Sequence, residues 1–163
     1  MSMIQGVVIG LVTQVKPGQI KATYPWLEAN HETDWLRISA PMSGNGRGGF
    51  LMPEINDEVL LAFDQGDPRL PYALGFMWNG QDLPPGQDVR DRCLVSRNGH
   101  KIRFLDSTPA AGSLGALVIE DGHGNRIVMS SGKITIQATG VLEIDAPTVT
   151  IKGRVVADGI NFI

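Results

Sequence analysis

Arg126-Ile-Val-Met-Ser-Ser-Gly-Lys133, Ile134-Thr-Ile-Gln-Ala-Thr-Gly-Val141, Leu142-Glu-Ile-Asp-Ala-Pro-Thr148, Val149-Thr-Ile-Lys-Gly-Arg154 and Val155-Val-Ala157 form the stretch on which the fold turns. Apolar triplets start at Ile127, Ile134, Leu142, Val149 and Val155, at steps of 7, 8, 7 and 6 residues. In Ile134-Thr135-Ile136, Leu142-Glu143-Ile144 and Val149-Thr150-Ile151 the outer residues are apolar and the middle one polar. That is the period-2 alternation of a half-buried strand. Gly132, Gly140, Pro147 and Gly153 fall between triplets, where turns belong. A short, nearly constant period marks a repeat architecture.

The repeats pose a packing problem. One coil of a single-chain β-helix takes about 20 residues or more, and such arrays need about three repeats to be stable. Residues 126–157 supply fewer than two coils of that size, so a lone ribbon leaves an apolar face and two strand edges bare. Two solutions are open at this point. Three identical ribbons can wrap round one axis, pair edges between chains and turn Ile127, Ile134, Ile136, Leu142, Ile144, Val149, Ile151 and Val155 inward, cyclic symmetry closing the contact. Alternatively the repeats form an antiparallel meander packed on the first half of their own chain. In the first case Thr135, Glu143 and Thr150 face solvent, and alternation sets the register.

Composition narrows the class. The 163 residues are 42% hydrophobic and 19% charged, which suits a packed core, and 20 Gly and 10 Pro spread along the chain point to an all-β fold. A net charge of −3 argues against a nucleic-acid surface, which is normally basic. The single cysteine, Cys93, excludes an internal disulfide. Residues 1–15 lack the basic start and continuous apolar core of a signal peptide, and no run of 18 apolar residues exists, so synthesis in the cytoplasm is expected.

The first half reads as short strands and turns. Gln5–Val15 is β-rich, Lys16-Pro17-Gly18-Gln19 is a type II turn, and Ile20–Tyr24 returns as a hairpin. After a polar loop to Asp34, Trp35–Ser39 alternates as a third strand, and Pro41–Gly49 is a glycine-rich loop. Phe50–Met52, Glu58–Phe63 and Leu70–Trp78 read as further strands. Five or six such strands suit a small closed barrel.

Trp35-Leu36-Arg37-Ile38, Pro41, Gly46-Arg47-Gly48-Gly49, Pro53, Asp57-Glu58-Val59-Leu60-Leu61-Ala62-Phe63, Gly66-Asp67-Pro68, Pro71, Leu74-Gly75 and Asn79-Gly80 stand in a recognisable order. Together they resemble the OB-fold domain of baseplate central spike proteins from contractile injection systems, which include the phage baseplate assembly protein V family and the type VI secretion spike. Asn98-Gly-His-Lys-Ile102 resembles the Gly-His motif that follows that domain, and Asp121-Gly-His-Gly-Asn-Arg-Ile127 resembles the start of the family's triple-stranded β-helix. The resemblance runs over about residues 5–157. Where the family usually has Gly before Asp-Glu-Val, this chain has Asn56, a residue that also tolerates a left-handed turn.

The resemblance implies an N-terminal OB barrel at 1–80, a connector at 81–93 and a β-helix needle at 94–163, within an intertwined homotrimer. It implies a structural, non-enzymatic central spike in a virion or injection-particle baseplate, joined to a hub protein and meeting the target membrane transiently. The junction is too short for the lysozyme domain that some spikes carry there, and with the short chain this points to a phage or phage-like particle. The His-x-His tip motif of some related needles, three copies of which hold one iron, has no counterpart in Asp158-Gly-Ile-Asn-Phe-Ile163. Ile160, Phe162 and Ile163 then offer either a docking surface for a PAAR-like tip cap or a seal for the trimer's own end.

Other motifs point to no chemistry. Gly44–Gly49 lacks the Lys-Ser/Thr of a phosphate loop. His31, His100 and His123 have no metal-ligand spacing, so no cofactor or metal is expected. Asp64, Asp67, Asp106 and Asp121 sit at turns, as turn chemistry favours. Ser96, Ser130 and Ser131 lack a nucleophile elbow. The competing reading is a nucleic-acid- or oligosaccharide-binding OB module with a β appendage, which needs stacking aromatics and positive charge on the barrel. A glycosidase on a β-helix would need two carboxylates on one face, and Glu143, Asp145 and Asp158 are dispersed.

Overall fold

In the N-terminal half, alternation along two long strands places the core. A computed structural model describes residues 3–4, 6–25, 31–108, 112, 114–150 and 152–153. The chain divides into two compact units, Met1–Pro84 and Pro85–Ile163. In the first, β1 (Val7–Lys16) pairs antiparallel with β2 (Gln19–Thr23) and with β6 (Glu58–Phe63). The sheet runs β3-β2-β1-β6-β7, with β3 at Leu36–Arg37 and β7 at Pro71–Met77. A parallel bridge between Ile38 and Ala73, reinforced by Ser39 N–H donating to the Ala73 carbonyl at 2.7 Å, joins β3 to β7 and curls the sheet round on itself.

Val12, Ile20, Ala22, Leu36, Val59, Leu61 and Ala73 fill the interior, with Val8, Tyr24, Ile38 and Met52 packed against them. Gly10 makes the close approach of β1 to its neighbours possible: a Cβ there would lie 2.9 Å from the Thr23 carbonyl and 3.0 Å from Leu61 Cδ1. Thr33 is buried and stitches the loop before β3 to β2, its hydroxyl accepting Ala22 N–H and its N–H donating to the Ala22 carbonyl.

Two expectations need correction here. Phe50–Met52 forms no strand. The glycine-rich segment instead folds into its own hairpin, β4 (Ser43–Gly44) with β5 (Arg47–Gly48), leaving Phe50 and Leu51 exposed while Met52 reaches the core. Trp35–Ser39 contributes a two-residue strand only, because its ladder to β2 ends at Arg37 and Ile38 turns to Ala73.

The second unit is an antiparallel meander of five strands in the order β12-β11-β10-β9-β8. They span Asp91–Val95 (β8), Lys101–Leu105 (β9), Ala116–Glu120 (β10), Arg126–Ser130 (β11) and Lys133–Gln137 (β12). The stretch 94–105 holds two strands, split by a turn at Asn98-Gly99 with Gly99 at φ +83°. Leu142–Ile144 and Val149–Thr150, expected as strands, are in none within this chain. A strand needs a paired edge, and among the described residues nothing pairs with the outer edge of β12.

Candidate interaction surface

Strand register settles which side chains of the meander share a face. Leu94 lies opposite Ile102, Ile102 opposite Ile119, Ile119 opposite Ile127 and Ile127 opposite Ile136. The next row runs Phe104, Leu117, Met129 and Ile134, beginning at Arg92 on β8. One face therefore carries nine apolar side chains and a single charge, Arg92, which is paired with Asp106 at 2.6 Å. The opposite face alternates Cys93, Arg103, Val118, Val128 and Thr135 with charged neighbours, and Arg103 meets Asp91 at 3.3 Å.

Burial is inverted relative to hydropathy. The most buried residue of the unit, Val118, lies on the mixed face, and Thr135, expected in solvent, is half-buried there. The apolar face is bare: Ile134 is 67% exposed, Ile136 56% and Phe104 50%. A shallow trough of about 570 Å³ crosses this face, lined by Phe104, Leu114, Leu117, Met129 and Ile134, with Asp106 and Lys133 among its polar groups. Fully burying one large apolar side chain stabilises by about 1.5–3 kcal/mol, so the seven that are substantially exposed, all but Leu117 and Met129, leave roughly 5–10 kcal/mol per copy for a partner to recover. That is of the size that association costs.

Of the residues expected in an intermolecular core, Ile127, Ile134 and Ile136 come together on this face. Leu142, Ile144 and Val149 are exposed and unpaired, in the chain beyond β12. Ile151, Val155, Ile160, Phe162 and Ile163 lie outside the described residues. Sequence periodicity missed Leu94, Ile102, Phe104, Leu117, Ile119 and Met129, which complete the face; the same alternation runs through them, without the regular spacing.

The two Gly-His motifs are turn devices within the meander, one between β8 and β9 and one between β10 and β11. Asp121 accepts the N–H groups of His123 and Asn125 at Oδ1 and the Asn125 side-chain amide at Oδ2, 2.7 Å away. The Asn125 amide, then those N–H groups and nearby His123, hold the Asp121 carboxyl below its usual range. Asn125 Oδ1 in turn accepts both Thr139 N–H (2.8 Å) and the Thr139 hydroxyl (3.1 Å). Gly122 N–H donates to His100 Nδ1 at 3.2 Å, tying this turn to the one at Asn98-Gly99. His100 and His123 are thus turn residues, and among the described residues no three His, Cys, Asp or Glu side chains gather at metal-binding distance.

On the barrel, the positive groups near an aromatic ring are Lys16 and Lys21, 4.2 and 5.4 Å from the Trp35 ring centre. Lys21 is also paired with Glu32 at 3.2 Å, where hydrogen bonds from Thr13, Lys21 and Gln14 lower the carboxyl's pKa.

Residues 4–78 match the family of type VI secretion system/phage-baseplate injector OB domains. The chain is similar to the type VI secretion system spike protein VgrG5 of Pseudomonas aeruginosa, 28% identical over 111 residues that make up 66% of this chain and 13% of that protein. VgrG4b of the same organism is 27% identical over a stretch of the same coverage. The actin cross-linking toxin VgrG1 of Vibrio cholerae is 31% identical over 72 residues, 42% of this chain and 7% of the toxin. The match spans only about an eighth of the length of the first two relatives.

Proposed function

We propose, from the match of residues 4–78 to the injector OB-domain family and the likeness to type VI spike proteins, that the chain is a baseplate spike-like protein and the homotrimeric central spike of a contractile injection apparatus, phage-like or type VI. The observation that carries this reading is the nine-residue apolar face of the meander, seven of whose side chains are exposed. Soluble monomers rarely leave so continuous an apolar surface in water. A second and a third copy of the same face are its natural cover, closed by cyclic symmetry.

In this reading the barrels seat the trimer under a hub ring, and the second unit with the chain beyond it forms a needle. Its work is mechanical and not enzymatic: contraction drives the tube, and a stiff, edge-paired β prism concentrates force on the target membrane. Ile160, Phe162 and Ile163 would either dock a PAAR-like cap or seal the trimer's own end. The competing reading is an OB module that binds nucleic acid or oligosaccharide; against it, the lysines over Trp35, Lys16 and Lys21, are already engaged with that ring, and Lys21 is also paired with Glu32.

Light scattering on the intact chain and on Ile134→Lys tests the proposal. The expected masses are three times 17.6 kDa for the parent and a loss of trimer for the variant. A parent that is monomeric, or a variant that remains trimeric with unchanged melting, overturns it.

A further inference from the structure

Three Asn-Gly pairs stand in the chain, at Asn45-Gly46, Asn79-Gly80 and Asn98-Gly99. Such a pair can modify itself. The glycine backbone nitrogen attacks the asparagine side-chain carbonyl, and glycine puts no side chain in the way. The attack needs a nitrogen free to give up its proton and a side-chain amide free to swing over it. The fold treats the three pairs differently.

At Asn98 the nucleophile is occupied, because Gly99 N–H donates to the Ser96 carbonyl at 2.9 Å. The Asn98 carbonyl is also packed against Gly122, so closely that a Cβ there would run into it. At Asn79 the side chain is occupied. Its Oδ1 accepts the N–H groups of Gln81 and Asp82 at 2.7 and 2.8 Å, and its amide donates to Asp82 Oδ2 at 3.0 Å. That turn must come apart before the side chain can move. The related Asp121-Gly122 pair is closed as well, since Gly122 N–H donates to His100 Nδ1 and Asn125 holds the Asp121 carboxyl. Asn45-Gly46 is held by neither means. The pair is the two-residue loop of the hairpin β4–β5, closed by Gly44 opposite Arg47. Both residues are exposed, and among the described residues neither the Asn45 side chain nor Gly46 N–H makes a hydrogen bond. A Cβ on Gly46 would meet nothing within 4 Å.

We propose that Asn45 is a site of self-modification, converting to aspartate and isoaspartate through a cyclic imide, while the fold protects Asn79 and Asn98. Base removes the Gly46 N–H proton, and the nitrogen forms a bond to Asn45 Cγ. The bond from Cγ to Nδ2 breaks, and ammonia leaves with a proton in place of the one removed. Water then opens the ring. Breaking the bond from Cγ to the Gly46 nitrogen gives aspartate at position 45; breaking the bond from the main-chain carbonyl carbon to that nitrogen gives isoaspartate. Water is consumed and ammonia released, with no oxidant or cofactor. Either product adds a negative charge beside Arg47, whose side chain lies over Gly44, in a chain already at net −3. Isoaspartate also routes the main chain through an extra carbon, inside a loop whose length sets the pairing of β4 with β5. The change therefore falls on the hairpin bordering a hollow of about 470 Å³ lined by Met42, Phe50 and Leu51.

The test is to age the intact chain in mildly alkaline buffer, digest it under mildly acidic conditions and follow the peptides around positions 45, 79 and 98 by mass. Conversion shows as the gain from replacing NH2 by OH. Asn45 is expected to convert roughly tenfold faster than Asn79 or Asn98, the scale set by hydrogen bonds that must open first. Two products of equal mass, aspartyl and isoaspartyl, are expected at position 45. A parallel sample in denaturant is expected to bring the three sites to similar rates. If Asn79 or Asn98 keeps pace in the folded chain, if Asn45 does not convert, or if Asn45 leads by the same margin in denaturant, the fold does not select this site and the proposal is wrong. N45Q, whose longer side chain would have to close a larger ring, is expected to abolish the early acidic variant on ion exchange. Survival of that variant would place the reaction elsewhere and overturn the assignment.

Discussion

Asn56 has φ +79°, a left-handed conformation that costs an ordinary residue roughly 1–2 kcal/mol and a short polar one less. Its N–H donates to the Val12 carbonyl at 2.8 Å, beside the irregularity in β1 between Val12 and Gln14, so the turn sets where β6 begins against β1. Asn56→Val is expected to destabilise the barrel by roughly 1–2 kcal/mol and Asn56→Gly to leave it unchanged or firmer, in denaturant melts. Asp67 offers a pH handle. The guanidinium and the N–H of Arg69 bring its carboxyl down from 3.8 to about 2. A carboxyl depressed in the folded state stabilises above its ordinary value and loses that contribution as pH falls through its folded one. Part of the decline in melting temperature between pH 3.8 and about 2 therefore belongs to Asp67, and Asp67→Asn should flatten it. An unchanged profile would show that this exposed pair contributes nothing, as many surface pairs do.

Single elements show how far the sequence carries. The turn Lys16–Gln19, the runs that became β1, β2, β6 and β7, and the left-handed tolerance of Asn56 were legible because each depends on its own residues. Phe50–Met52 was misread since three apolar residues in a row say nothing about a paired edge, and here one reaches the barrel core while two face outward. The face of the meander was legible at Ile127, Ile134 and Ile136 and not at Leu94 or Phe104, which join it only through a register that spans five strands. The Asp121 motif was read as a family resemblance, and its physical role lies in contacts with Asn98 and Thr139 that no local pattern contains. Gly122 packs so closely that a Cβ would run into the Asn98 carbonyl, whereas Gly80 has open space around it. Gly122→Ala is expected to cost about 1–3 kcal/mol by pushing the two turns apart. Gly80→Ala should stay within about 0.5 kcal/mol. Equal effects in equilibrium unfolding would mean that the two turns are not held together in solution.

At the scale of the molecule the two units have different sources of stability. The barrel closes on a core complete within its own residues, from Val12 to Ala73. The meander buries little of its own apolar surface and turns the larger part outward. On the proposed homotrimer, folding of the second unit is coupled to assembly, and coupled systems unfold more easily on dilution. For three chains forming one particle, each tenfold dilution weakens the assembled state by about 0.9 kcal/mol per chain, two thirds of the 1.4 kcal/mol that a factor of ten is worth. In a unit of this size that moves the midpoint by roughly 4–8 °C. Two transitions are therefore expected when the intact chain is heated over a hundredfold range of concentration: one fixed, from the barrel, and one falling with dilution, from the meander. Tryptophan fluorescence distinguishes them, because all three tryptophans, at positions 26, 35 and 78, precede the boundary at Pro84 and should report the fixed transition, while circular dichroism sees both. If both transitions ignore concentration under reversible conditions, the meander is stable without a partner, and its apolar face awaits something other than its own copies.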